Sequence, residues 1–326
     1  MASQNSMRSA CWSDTISKSG LAQLAGMVDS GGTVYYVDGL HPNASDSNAG
    51  TDRNRPLSTL TAAVTASEAD RAARASLYTR NTIYLVSNGG YSQGTVDPYA
   101  ITALPNFTNI IGIGASPSGA GPGIATIAGT TATIGSGSGL YFENLMFEAP
   151  VSANPGTSAT YWCLFTTQIL RSKFINCAFM GSNFTSVGYG ALGGLNVTAA
   201  LGGCDILGCT FGSNSAALVT GIQVGAGFNG NRIEGNNIAA LTNGIYSNTQ
   251  SDQGTLIKNN VIASSLQSDA EMTYGIRCAT QASQRIVGNY IAAADCILRP
   301  GGTGTRFEWD NHCLSGGTGS IETVSS

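Results

Sequence analysis

Six short segments share one pattern: FENLMF, FINCAF, ILGCTF, IEGNNI, IKNNVI and IVGNYI, beginning at Phe142, Phe174, Ile206, Ile233, Ile257 and Ile286. A looser seventh copy, FEWDNH, begins at Phe307, and the spacings run 32, 32, 27, 24, 29 and 21 residues. A repeat of this length constrains the chain more than any other feature, because each unit can bury its apolar side only against its neighbours. The irregular spacing excludes a strict hexapeptide helix, and scarce leucine argues against a leucine-rich repeat.

Aligned, the copies form columns. The first reads Phe142, Phe174, Ile206, Ile233, Ile257, Ile286, Phe307, and the column five residues later reads Phe147, Phe179, Phe211, Ile238, Ile262, Ile291. Between them stand Leu145, Cys177, Cys209, Asn236, Asn260, Asn289 and Asp310. If the copies stack at the strand spacing of about 4.8 Å, each column becomes a ladder of like side chains. Stacked Phe and Ile fill an interior, and stacked Asn satisfy one another's amides. The fold expected is all-β: a right-handed parallel β-helix (a solenoid), whose turns tolerate variable length.

A second strand per copy is marked by the pairs Gly221-Ile222, Gly244-Ile245, Gly275-Ile276 and Cys296-Ile297. Their glycines are expected to turn a corner, through positive φ or close backbone approach. Segments such as Gly188–Thr198 and Ser264–Met272 read as loops on one side. Cys177 and Cys209 fall in adjacent copies of one column, where the strand spacing exceeds the roughly 3.8 Å preferred between disulfide Cβ atoms, so stacked thiols are expected.

The N-terminal third reads as a strand at Thr33–Asp38, a polar loop at His41–Pro56, a helical run over LTAAVTASEADRAARA capped by Ser58 or Thr59, and a strand at Asn81–Val86. The stretch VYYVDG…DSNAGTDRNRPLSTLTAAV…NTIYLVSNGGYSQGTV resembles the opening of pectin-lyase-like β-helix proteins. Gly50-Thr51, Pro56 and Thr59 match the loop and P-x-x-T segment before that superfamily's capping helix, and Gly90-Tyr91 matches the turn of its first coil. The resemblance spans residues 33–98 by motif and 140–314 by repeat. It implies the fold and an N-terminal capping helix, and it says little about activity, because the fold hosts lyases, hydrolases, adhesins and viral spikes. The domain reading is an extended N-terminal arm or cap at 1–32, the β-helix at 33–314 and a Gly/Ser-rich tail at 315–326. In the arm, Trp12 and Ile16 are apolar handles for docking to a partner.

Charge narrows the function. Only 10% of residues are charged, with net charge −4 and three lysines, so a grip on nucleic acid or an anionic membrane is not expected. No apolar run is long enough to insert in a membrane as a helix. Without C-x-x-C, and with two histidines, no metal or cofactor is implied; the G-I-G-A-S-P run is followed by Pro117 and Pro122, which forbid the helix that a dinucleotide loop requires. The charges that exist flank the first column: Lys173, Asp205, Arg232, Arg285 and Arg306 before it, and Glu143, Glu234, Lys258 and Glu308 after it. Asp205 and Glu234 lie on adjacent copies with Cβ atoms about 8 Å apart, a separation that a glycosidase carboxylate pair can use. With Arg232 and Lys258 they are the only catalytic candidates. Alternation of sign along the stripe favours salt-bridge ladders instead.

The expected function is structural: a bacteriophage virion surface protein, a homotrimeric capsid decoration (cement) protein or short spike. It would be assembled in the host cytoplasm, with no secretory signal in its first residues, and would contact other virion proteins such as the capsid shell and a host-surface polysaccharide. The arm resembles the particle-attaching segments of β-helix phage spikes. The alternative is a polysaccharide lyase or glycoside hydrolase, a depolymerase, of the pectin-lyase-like fold.

Overall fold

The computed structural model describes residues 32–74, 80–86, 107–113, 123–125, 133–134, 137–148, 161–165, 168–179, 191–212, 218–248, 252–264, 271–278, 282–298 and 307–314. These residues are mostly β, in sheets of ten, four and fourteen strands, with one helix among them. The ten-stranded sheet is parallel throughout. The path between its neighbours is regular. After Lys173–Ile175 the chain gives Ala178–Phe179 and Ala191–Val197 to the fourteen-stranded sheet and Leu201–Gly202 to the four-stranded one. It then returns at Asp205–Leu207, hydrogen-bonded beside its starting strand. The long strand Asn237–Ser247 pairs in its first part with Val261–Ala263 and in its second with Tyr274–Arg277, joining two walls into one sheet.

The two apolar columns stack in register. Phe142, Phe174, Ile206, Ile233, Ile257 and Ile286 are successive partners, as are Phe147, Phe179, Phe211, Ile238, Ile262 and Ile291, and all are buried. Tyr35, Ile83 and Ile110 extend the first column toward the N-terminus. Phe147, Phe179 and Phe211 stack with centroids 4.7 and 4.6 Å apart and planes within 4° and 2°. Isolated rings prefer an offset or an edge; here the hydrogen-bonded strand spacing imposes the stack. Burial of each such side chain contributes about 1.5–3 kcal/mol.

The polar column closes on itself. Asn236 Nδ2 donates to Asn260 Oδ1, Asn260 Nδ2 to Asn289 Oδ1 and Asn289 Nδ2 to Asn311 Oδ1, each at 2.9 Å. Each amide nitrogen also donates to a backbone carbonyl, of Ile206, Ile233 and Ile257 respectively. The seventh copy sits one residue from the expected alignment. Ile286 pairs with Glu308, and Asn311 joins the amide ladder; Phe307 and Asp310 do not occupy those columns. A second buried ladder was not anticipated: Leu140 N donates to Ser172 Oγ, Ser172 N to Cys204 Sγ, Cys204 N to Asn231 Oδ1 and Asn231 N to Thr255 Oγ1.

Cys177, Cys204 and Cys209 are buried thiols, as expected for the stacked pair, and donate to the carbonyls of Phe142, Ile169 and Phe174. Burial pushes the Cys204 thiol up to about 11 and the Cys177 thiol well above its usual range. Ala191–Val197 is a strand, where a loop over Gly188–Thr198 was expected. Of the expected loop Ser264–Met272, residues 265–270 lie outside the described residues, and Met272 is fully buried in the core.

Helix α1 (Leu60–Arg74) starts where Thr59 Oγ1 accepts from Ala62 N, which settles the cap on Thr59. Asp46 accepts from Ser58 N, Thr59 N and Thr59 Oγ1, so the polar loop serves the cap. Leu60, Ala63 and Val64 join the core at the end where Val34–Val37 begins the ten-stranded sheet. Asn81 ties helix to sheet, accepting from Thr33 N and donating to the Ser67 carbonyl.

Candidate functional site

Strand alternation puts residues on either side of the first column on the outward face of the ten-stranded sheet. Lys173, Asp205 and Arg232 are successive partners there. Asp205 receives the Lys173 ammonium at 3.2 Å and the Arg232 guanidinium at 3.3 Å, and Lys258 reaches Glu234 at 3.6 Å. Glu234 pairs across from Leu207, so Asp205 and Glu234 are diagonal neighbours, as the spacing implied. A glycosidase pair needs one carboxyl kept protonated and the other facing the sugar. Here each carboxylate is neutralised by a cation of the same sheet. The arrangement is a salt-bridge ladder, of the exposed kind that contributes up to about 1 kcal/mol per pair. Leu256 interrupts the first row. Glu308 falls in register with the inward column and not beside it, and Arg306 lies outside the described residues.

Glu143 differs from its neighbours in the stripe. Tyr84, Ile111 and Tyr141 form a second buried cluster on the outward face of this end of the sheet, so the face is covered where Glu143 stands. Burial raises the Glu143 carboxyl, partly offset by the Tyr141 hydroxyl that donates to it at 2.9 Å. Burial and that carboxylate push the Tyr141 phenol far above its usual range. The hydrogen-bond partner of Glu143 is a tyrosine and not a second carboxyl.

A third group was not foreseen. Gln223, Tyr246 and Arg277 are successive partners on the wall that follows the Gly-Ile pairs, and Asn243 pairs with Tyr274. The Arg277 guanidinium lies 5.1 Å from the Tyr246 ring centroid and 4.9 Å from that of Tyr274. Asn243 Nδ2 donates to Thr220 Oγ1 at 3.2 Å, while its buried Oδ1 has no hydrogen-bond partner; Asn196 Oδ1, on the same wall, is in the same state. The two rings and the guanidinium suit a hydroxyl-rich ligand; the amide oxygens are buried behind them. The available signal was positional: Gln223, Tyr246 and Arg277 each follow directly on the isoleucine of a Gly-Ile pair.

The described end of the stack exposes large apolar side chains beside polar ones such as His312, the register partner of Tyr290. Val261 and Tyr290 are register partners, 46% and 43% exposed; Leu314 on the next strand is 41% exposed and Trp309 76%. Among the described residues no group of three or more His, Cys, Asp or Glu side chains could hold a metal ion, and no helix is long and apolar enough to cross a membrane. The docking candidates Trp12 and Ile16, and the tail 315–326, lie outside the described residues. In comparisons with protein-family models, curated proteins and solved structures, nothing matches this chain.

Proposed function

We propose that the chain is a right-handed parallel β-helix that works by assembly: a homotrimeric virion surface protein of a bacteriophage, a capsid decoration protein or short spike. The single observation that carries the assembly reading is the pairing of surfaces. Asp205 and Glu234 are each bound by cations of their own sheet, Asp205 by two, while Val261, Tyr290, Leu314 and Trp309 stand exposed toward one end of the stack. Acids bound within the sheet and apolar side chains left exposed are features a subunit contact uses. Right-handedness follows from the twist rule for crossovers between parallel strands. The phage assignment rests on likeness of the arm and coil to phage spikes. The Tyr246–Arg277–Tyr274 wall is the surface assigned to host polysaccharide.

Light scattering on the full-length chain tests the reading. A mass near three times 33.3 kDa is expected; a monomer would overturn the trimer. Deleting residues 1–32 is expected to abolish attachment to the particle while leaving circular dichroism unchanged. Incubation with bacterial surface polysaccharide is expected to release no reducing or unsaturated ends. Release that Asp205→Asn or Glu234→Gln abolishes would replace this reading with a depolymerase.

A further inference from the structure

The glycine column of the fourteen-stranded sheet breaks at one place, and the break is matched across the core. Gly194, Gly221, Gly244 and Gly275 precede Leu195, Ile222, Ile245 and Ile276, which are successive register partners. A Cβ on Gly194 would press the Phe211 ring, and Cβ atoms on Gly221, Gly244 and Gly275 would strike the Cγ2 methyls of Ile238, Ile262 and Ile291. The next residue of the glycine column is Cys296, whose neighbour Ile297 pairs with Ile276. The next residue of the facing column is Cys313, the partner of Ile291. Where a side chain appears in place of glycine, the isoleucine it would strike has shrunk to cysteine. Two sulfurs share the volume that one isoleucine fills elsewhere, with Cys296 Sγ 3.6 Å from the Ile291 carbonyl oxygen.

We infer that Cys296 and Cys313 form a disulfide site that staples the last strands of the stack. One coil earlier a Cβ on Gly275 would strike the Ile291 Cγ2 methyl, so the same two columns face each other within the range of the roughly 3.8 Å Cβ separation that a disulfide prefers. Cys177 and Cys209, by contrast, stack in one column at the strand spacing and are fully enclosed. Cys296 is half-buried and open to attack.

The oxidant is a small-molecule disulfide such as oxidised glutathione. The Cys296 thiolate attacks it, forming a mixed disulfide and releasing one small thiol. The Cys313 thiolate then attacks the Cys296 sulfur, forming the protein S–S bond and releasing the second thiol. Two protein thiols are oxidised, one small disulfide is reduced to two thiols, and the two protein protons end on those thiols. The Cys313 thiol and burial both push the Cys296 thiol up, so the reaction accelerates as pH rises. Among the described residues the strand His312–Leu314 pairs with Tyr290–Ala292 alone, so a covalent tie acts at the last described strand of the sheet.

The test uses the native full-length chain, equilibrated with oxidised glutathione, quenched by alkylation and digested with trypsin. Cleavage after Arg285 and Arg306 separates the two cysteines into peptides 286–306 and 307–326. The expected product is these two linked, two hydrogens lighter than their sum and separated by reductant, with Cys177, Cys204 and Cys209 alkylated only after unfolding. In the oxidised protein the amides of His312–Leu314 should exchange about tenfold slower or more. Cys296→Ser should remove both effects while keeping the native circular dichroism. Retention of both thiols under these conditions, or a Cys177–Cys209 link in their place, overturns the assignment.

Discussion

Gly244 lacks a side chain because the fold leaves no room for one. A Cβ there would strike the Ile262 methyl and lie 2.6 Å from the Gly275 carbonyl oxygen. Backbone torsion is not the reason, since its φ is not in the left-handed region. Gly244→Ala should therefore destabilise by about 1–3 kcal/mol, the usual cost of overpacking. Ile262→Cys, which lacks the second γ branch that the Gly244 Cβ would strike, should recover part of that loss in the double variant, as Cys313 makes room for Cys296. Urea midpoints of the four proteins check the coupling, and purely additive losses would contradict it. Glu143 supplies a second prediction. Its folded value lies above its ordinary 4.5, raised by burial. Below about 4.5 both folded and unfolded chains hold the proton. As pH rises toward the folded value the unfolded chain releases its proton first, so this residue's contribution to stability falls. Glu143→Gln should flatten that decline and leave the protein at least as stable at neutral pH, because glutamine still accepts from Tyr141. Urea midpoints measured from pH 4 to 8, as a range of about four units, would show it.

At the scale of the element, the corners are as regular as the strands. The residues just before the polar column, Asn144, Asn176, Gly208, Gly235, Asn259, Gly288 and Asp310, all have φ between 51° and 67°. Glycine, asparagine and aspartate tolerate this region best. A second corner precedes the Ser172–Thr255 ladder at Gly139, Arg171, Gly203, Gly230 and Gly254, with φ from 50° to 68°. Arg171 is an exception in chemistry, as is Phe107, which lies in register with Gly139 and has a φ of 54°. The Arg171 φ of 50° belongs to glycine at its register neighbours Gly139 and Gly203. Arg171→Gly is expected to raise stability by about 1 kcal/mol, the strain of a left-handed L-residue less the entropy that glycine adds to the unfolded chain. A lowered urea midpoint would mean that the Arg171 side chain contributes more than its backbone costs. These corners also explain what the sequence could and could not reveal. The Phe, Ile and Asn columns were legible because stacking repeats the residue type. The Ser172, Cys204, Asn231, Thr255 column was not, because only hydrogen-bonding capacity recurs there. The seventh copy was misaligned by matching Phe307 to phenylalanine, whereas Asp310 belongs with the left-handed corner residues and Asn311 with the amides.

Among the described residues, each strand of the ten-stranded sheet pairs within that sheet with the strands before and after it in the chain's course. The candidate sites follow the same rule, which is why they were unequally readable. The Lys173–Asp205–Arg232 ladder needs only register, and register was in the repeat. The covered face around Glu143 and the Arg277 sandwich depend on packing outside the columns, to which periodicity is blind. Cooperation therefore passes from copy to copy, and the middle of the stack is supported on both sides. The column positions make this testable by native-state hydrogen exchange. Amides in Asp205–Leu207, Arg232–Glu234 and Asp252–Lys258 should be the slowest, opening near the global unfolding free energy. Those of Phe307–Trp309 should open at markedly lower free energy, because among the described residues that strand ends the sheet and is paired on one edge. If the trimer forms through the exposed Trp309, Leu314 and Tyr290 side chains, dilution to the monomer should accelerate exchange at this end and leave the central strands unchanged. Equal protection at both places under all concentrations would mean that the terminal strands are covered within the single chain, and would remove the apolar end as the subunit contact.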